Sequence, residues 1–169
     1  MFNKEVGYCQ GMANVVALML MYLYEEEEVF WALTSLLRGD RYQMNDLFTP
    51  HLPKLFRCID HHVVLRKKFL PSVHKHLKKL DYPPTLYATK WFLQVFLDKL
   101  PFSLALRVWD IFLLEGEEIQ CAMSIALLRT FKRTLIKQND EQLNNFLNRL
   151  PDSQVRDVTN GHVISHVTD

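Results

Sequence analysis

The segment from Glu5 to Met12 holds the residues best suited to chemistry. It places Gln10 beside Gly11 and close after Gly7, directly ahead of the most apolar stretch of the chain. Glycines this close together allow a tight backbone and close approach by another molecule. A glutamine amide both donates and accepts hydrogen bonds, so Gln10 could position a water molecule or cap a helix. A plain loop leading into a helix is the alternative interpretation, since glycines are common near helix ends.

Other motifs for nucleotide or metal binding are absent from the sequence, which has no GxxxxGK[ST], no CxxC and no HExxH. His61 and His62 are adjacent and would point apart on a helix, and His74 and His76 also have the wrong helical spacing for a shared ligand. Cys9 has no protease-type sequence around it. We therefore expect no metal site, no cofactor of the chain's own and no cysteine nucleophile.

Composition predicts one helical domain. The chain has 169 residues, 49% of them apolar, with only 5 glycines and 7 prolines. Folds rich in β-structure use glycine and proline in many turns, so their scarcity favours helices. A net charge of +1 leaves no basic excess, and we expect no nucleic-acid partner. Three widely spaced cysteines and the lack of a signal peptide predict a cytoplasmic location.

Apolar periodicity predicts helices along most of the chain. The 13-residue run Met12–Tyr24 is too short to span a membrane and is predicted to be a helix buried on all sides. Glu25–Glu28 precede a second helix and suit its positive end, although a contact with a basic partner is the alternative interpretation. We predict a loose tail over residues 151–169. Further helices are predicted within residues 55–69, 71–80, 85–96, 101–115, 117–135 and 139–150.

The run Tyr8-Cys9-Gln10-Gly11-Met12 resembles the YxQG motif of the TBC domain, the helical GTPase-activating module for Rab-type small GTPases. Similar pieces follow in the family's order: Val29-Phe30-Trp31, then Lys90-Trp91-Phe92, then an LP…LRxWD…EG signature between residues 100 and 116. The amino-acid sequences of these segments are most similar to those of the Tre-2 and RN-tre-like branch of the family. The resemblance implies an all-α, multi-helix fold in which residues 1–150 form a TBC domain lacking its first helices.

The resemblance also implies roles for the motif residues. Gln10 would be a glutamine finger that enters the nucleotide site of a Rab-type GTPase and positions the attacking water. Tyr8 and Gly11 would shape the finger loop. GTP and Mg²⁺ would belong to the partner GTPase. The protein would regulate vesicle trafficking, and its association with endomembranes would be indirect.

An arginine finger is the second catalytic group of TBC domains, in an IxxDxxR motif upstream of YxQ. Only seven residues precede Tyr8 here, and none is an arginine. We expect Arg107 of the LRxWD motif, which also holds Trp109, to be structural, pairing with Asp110 or tying neighbouring helices. Two hypotheses stay open: a Rab GTPase-activating protein, or a TBC-derived module that binds a GTPase or another partner without stimulating hydrolysis.

The tryptophans Trp31, Trp91 and Trp109 are expected in the core because their helical neighbours are apolar. Contact with a partner is the alternative, since tryptophan is common in binding hot spots. The polar loop Asp40–Asn45 and the surface near Gln10 are better candidates for a GTPase-binding face.

Overall fold

The computed structural model describes residues 6–148, and every regular element among them is helical. The chain divides into two compact units, residues 1–57 and 58–169, with the division falling inside one helix. None of the helices in the described part is long and apolar enough to cross a membrane. In chain order the helices are α1 (Met12–Leu20), α2 (Glu26–Arg38), a 3₁₀ helix (Met44–Leu47), α3 (Pro53–Phe69), α4 (Pro71–Lys79), α5 (Thr85–Leu93), α6 (Phe102–Glu115), α7 (Glu118–Thr130), α8 (Lys132–Leu135) and α9 (Asp140–Asn148).

The first unit is organised around α1, which packs against α2. The prediction of a helix from Met12 to Tyr24 buried on all sides is wrong, because α1 ends at Leu20. Only one face of α1 is buried, and the chain that follows it carries exposed side chains. The physical reason is that so apolar a helix needs neighbours all around it, and α2 covers one side. The buried residues of α1 are Met12, Val15 and Leu18.

The second helix confirms the predicted acidic start, since Glu26–Glu28 form the first turn of α2. Its buried residues are Val29 and Leu36. The prediction that Trp31 lies in the core is wrong, because this side chain is 54% exposed. Trp31 follows Val29 by two positions, which is about 200° around a helix, so burying Val29 turns Trp31 outward.

The second unit holds a core built from α5, α6, α7 and α9, in which α7 packs against both α5 and α6. Trp91 on α5 and Trp109 on α6 are buried, which confirms the prediction for these two tryptophans. Ring contacts extend this core, with Trp91 centred 5.0 Å from Tyr87 and Trp109 5.4 Å from Phe112. Nine of the ten consecutive residues 119–128 of α7 are buried, Ala122 being the exception, as expected for a helix surrounded by others.

The helix boundaries of the second unit follow the predicted signals with two exceptions. The helix predicted to reach Phe96 ends at Leu93, because Val95 and Phe96 take positive φ values of 47 and 62 that a helix does not allow. Asn139 and Gln142 form a reciprocal cap for α9, each backbone N–H donating to the other's side-chain oxygen at 3.1 and 2.9 Å. The predicted long helix over 117–135 is interrupted at Phe131, which separates α7 from α8. The predicted end of the last helix at Leu150 and the tail over 151–169 lie outside the described residues.

Candidate functional site

A tight turn carries Gln10 at the entrance to α1. The N–H of Met12 donates to the carbonyl of Cys9 at 3.2 Å, so Gln10 and Gly11 are the two central residues of the turn. Gly11 has φ 107, the positive value that the second central position of a type II turn requires. The N–H of Cys9 also donates to Met12 Sδ at 3.4 Å. The turn is therefore closed from both sides and attached to the first residue of α1.

The two glycines of the segment share one backbone requirement. Gly7 has φ 65 and Gly11 has φ 107, both in the region that side chains with a Cβ rarely adopt. The carbonyl of Gly11 then accepts from the N–H of Asn14 at 3.2 Å, which starts the helical hydrogen bonding. This explains why a glycine-bearing segment precedes an apolar helix: the chain reverses at Gly11 and enters α1 at once.

The residues of the predicted finger loop differ in their exposure to solvent. Gln10 is exposed, whereas Gly11 and Met12 are buried. Tyr8 is 73% exposed, so its ring contributes to the outer surface of the loop rather than to its packing. The arrangement presents the Gln10 amide to solvent on an anchored turn, where it can reach another molecule.

The remaining predicted site residues lie on α6 in the second unit. Arg107 Nη1 is 3.8 Å from Asp110 Oδ2, with side chains 70% and 62% exposed. The two residues therefore pair with each other as the i,i+3 spacing predicts, and among residues 6–148 Arg107 has no second charged partner tying it to another helix. Trp109, between them in sequence, faces the opposite way into the core.

A buried polar cluster in the second unit was not expected from the sequence. His62 on α3 contacts Tyr87 OH through Nε2 at 2.8 Å and Ser124 Oγ through Nδ1 at 2.7 Å. Arg66 Nη1 donates to the same Tyr87 hydroxyl at 2.7 Å, and Ser124 Oγ donates to the carbonyl of Cys121 at 2.7 Å. The sequence signal was the spacing of His62 and Arg66, four residues apart and therefore on one helix face.

The hydrogen bonds of this cluster run in one direction. Arg66 can only donate hydrogen bonds, so the Tyr87 hydroxyl accepts one from it and donates its own O–H to His62 Nε2. His62 Nδ1–H then donates to Ser124. Burial, with the nearby Arg66 charge, lowers the pKa of His62 to about 3, and burial raises the pKa of Tyr87 to about 12. The neutral imidazole therefore joins α3, α5 and α7 from inside the core, out of reach of a substrate.

Comparison with known proteins places the whole arrangement in a family. Residues 1–136 match the family model described as "Rab-GTPase-TBC domain". The chain belongs to this family. Within the TBC domain, the turn carrying Gln10 and the α6 segment carrying Arg107, Trp109 and Asp110 both lie inside the matched region.

Individual relatives of this TBC domain support the same family assignment. The chain is 34% identical over 139 residues to the human "Ecotropic viral integration site 5 protein homolog", covering 82% of this chain and 17% of that protein. It is 33% identical over 147 residues to "Rab GTPase-activating protein eat-17" of Caenorhabditis elegans, covering 87% of this chain and 16% of that protein. The TBC domain described here thus spans about a sixth of the length of these relatives.

Solved structures share the fold. The Ypt/Rab-GAP domain of Gyp1p superposes with a TM-score of 0.80 at 17% identity, over 97% of this chain and 59% of that one. The flagellar RabGAP TBC domain of Chlamydomonas gives a TM-score of 0.78 at 25% identity, over 98% of this chain and 54% of that one. The all-α TBC fold predicted from the sequence is confirmed.

Proposed function

We propose that this TBC domain acts on a Rab-type small GTPase and that Gln10 enters the nucleotide site as a glutamine finger. The observation that carries the proposal is the exposed Gln10 amide on a turn closed by two hydrogen bonds and anchored to α1. Membership of the Rab-GTPase-TBC family supplies the class of partner. The partner would also bring the domain to endomembranes, which fits a role in vesicle trafficking.

The role proposed for Gln10 is to position the attacking water molecule. GTP hydrolysis needs an attacking water in line with the γ-phosphate and stabilisation of the charge that develops on the phosphoryl oxygens. The Gln10 carbonyl oxygen can accept a hydrogen bond from that water, while the amide N–H₂ donates toward the phosphate. GTP and Mg²⁺ are held by the GTPase, so the TBC domain needs no cofactor. Holding the amide on an anchored turn lowers the entropy that must be lost when the complex forms.

Charge neutralisation by an arginine is the second requirement, and it is worth about 10³–10⁵ in rate where an arginine finger is supplied. The sequence from Met1 to Gln10 contains no arginine. Arg107 is a weak substitute because it belongs to the LRxWD motif on α6, where it lies beside Asp110, and not to a motif ahead of Tyr8. We therefore expect the 169-residue chain to stimulate hydrolysis only weakly. The second candidate function is a module that binds a GTPase without accelerating hydrolysis.

Single-turnover GTP hydrolysis across a panel of purified Rab GTPases distinguishes the two. The chain is tested alone and after fusion to the segment that precedes the matched region in eat-17. For an activator, the fused chain accelerates hydrolysis by at least about a hundredfold with one Rab. Gln10→Ala removes most of this, and Asn145→Ala, which changes an exposed side-chain amide on α9, leaves it intact. Binding to a Rab without acceleration in either chain supports the second function.

A further inference from the structure

Positive charge is concentrated in the second unit where α3 ends and α4 begins. Residues 61–80 contain six of the chain's 20 lysines and arginines and no aspartate or glutamate. Five of the six are lysines, and all five are exposed, although the whole chain has a net charge of only +1. We call this surface the lysine face and define it by Lys67, Lys68, Lys75, Lys78 and Lys79.

The lysines of α4 share one side of that helix. Lys75, Lys78 and Lys79 are separated by three and four positions, so their side chains leave the helix in similar directions. The opposite side of α4 is held in the core by Val73 and Leu77, which are fully buried. The packing of α4 therefore turns its three lysines outward together.

The end of α3 adds its charges to the same region. Lys67 and Lys68 occupy the last turn of α3, and a single residue separates this helix from α4. Burial and nearby positive charges lower the pKa of His74 on α4. These charges are those of Arg66 and Lys67 on α3 and of Lys78 on α4. Cations of the two helices thus converge at one place.

The lysine face has no carboxylate that neutralises it. None of its five lysines forms an ion pair with an acid among residues 6–148. A face that another part of a folded domain covers is mainly apolar, because unpaired ammonium groups are costly to bury. The lysine face is therefore suited to an anionic partner that meets it at a hydrated surface.

The residue types favour a layer of lipid headgroups as that partner. Arginine is the residue for paired contacts with single phosphates or carboxylates, but Arg66 is buried and donates to Tyr87 at 2.7 Å. Phe69, the last residue of α3, is 46% exposed, and Lys68 Nζ lies 5.1 Å from the centre of its ring. An aromatic ring among lysines is typical of proteins that lie on a bilayer, where the ring enters the headgroup region.

We propose that the lysine face binds the anionic surface of a membrane. Attraction to anionic lipids accumulates over the lysines near the surface, so five of them on one face provide a reversible attachment. This attachment is direct and adds to any contact that the partner GTPase makes with the membrane. It does not depend on the chemistry proposed for Gln10.

Vesicle flotation tests the proposal with the 169-residue chain. The vesicles contain phosphatidylcholine alone, or phosphatidylcholine with about one fifth phosphatidylserine. We expect at least about tenfold stronger binding to the phosphatidylserine vesicles, and loss of this preference in about 0.5 M sodium chloride, which screens the charges. Equal binding to both vesicles would overturn the proposal. Tighter binding of a glutamate-rich peptide than of the vesicles would also overturn it, because the occupant would then be an acidic protein.

Charge reversals locate the contact. Lys75→Glu/Lys79→Glu is expected to weaken binding to the phosphatidylserine vesicles at least about tenfold, with helix content unchanged by circular dichroism. Lys90→Glu/Arg129→Glu makes the same change of net charge at exposed positions of α5 and α7 and should have little effect. Equal weakening by both double variants would mean that net charge alone matters and would refute the site.

The longer chain shows whether the lysine face stays accessible in a more complete domain. The chain fused to the segment that precedes the matched region in eat-17 is floated with the same two kinds of vesicle. We expect the preference for phosphatidylserine to be retained within about threefold. Loss of the preference in the fused chain would refute the proposal, because the added segment would then cover the lysine face.

Discussion

Acid sensitivity of the second unit follows from the buried His62. Unfolded histidine titrates near its ordinary pKa of 6.5, whereas burial lowers the pKa of His62 in the folded protein to about 3. At pH values between these two pKa values, the histidine is protonated in the unfolded chain and neutral in the folded protein, so acid favours unfolding. The contribution is fully present above pH 6.5 and is lost progressively as pH falls toward 3.

The size of this effect follows from the two pKa values. Between pH 7 and pH 5, protonation of the unfolded histidine lowers the free energy of unfolding by about 2 kcal/mol, since each full unit below 6.5 costs about 1.4 kcal/mol. Replacing the imidazole by the non-titrating amide in His62→Gln should remove this pH-dependent part, although it lowers stability at every pH. His61→Gln changes the exposed neighbour and serves as the matched control.

Urea unfolding at pH 7 and pH 5 measures the difference, followed by the fluorescence of the buried Trp91, which is centred 5.0 Å from Tyr87. We expect the loss of stability between the two pH values to be about 2 kcal/mol smaller in His62→Gln than in the wild type and in His61→Gln. If all three proteins lose the same amount, His62 is not held neutral in the core and the directed hydrogen-bond chain is wrong.

Three further predictions concern the turn, the motif pair and the tryptophans. Gly11→Ala should lower stability by about 1–2 kcal/mol in urea unfolding, because φ 107 is costly for any residue with a Cβ; an unchanged stability would mean the turn is not formed. Arg107→Ala should change stability by about 0.5 kcal/mol at most and leave GTP hydrolysis unaltered, because its pair with Asp110 is exposed; a lost rate would make Arg107 a catalytic finger. Trp91→Ala should cost about 3–5 kcal/mol and Trp31→Ala about 1 kcal/mol or less, and equal losses by the same assay would contradict their different burial.

The sequence predicted the helical class, most helix boundaries and the Gln10 turn because each depends on local signals. The turn at Gly11 and the cap at Asn139 involve only residues that are close in sequence. The residue types at these positions are therefore enough to predict a turn and a helix start. Trp31 was misplaced because apolar periodicity shows that a helix has a buried face, but not how many neighbours surround it. The same reason made the apolar run after Met12 appear buried throughout.

The His62 cluster could not be predicted because its members come from three helices. His62 and Arg66 share a face of α3, but Tyr87 and Ser124 reach them only through tertiary packing. No spacing within one segment encodes such a contact. The contact between Arg107 and Asp110 on α6 was predictable, since residues at i and i+3 are neighbours on any helix. The exposure of the pair was not, because it depends on how α6 packs against other helices.

The central claim is that Gln10 supplies water positioning to a Rab-type GTPase, and it is tested most directly with a GTPase whose own water-orienting glutamine has been replaced by leucine. Single-turnover hydrolysis is followed with the chain fused to the preceding segment of eat-17, as wild type and as Gln10→Ala. We predict that the wild-type chain still accelerates hydrolysis by this GTPase and that Gln10→Ala lowers the rate at least about tenfold. Equal acceleration by both chains would contradict the account.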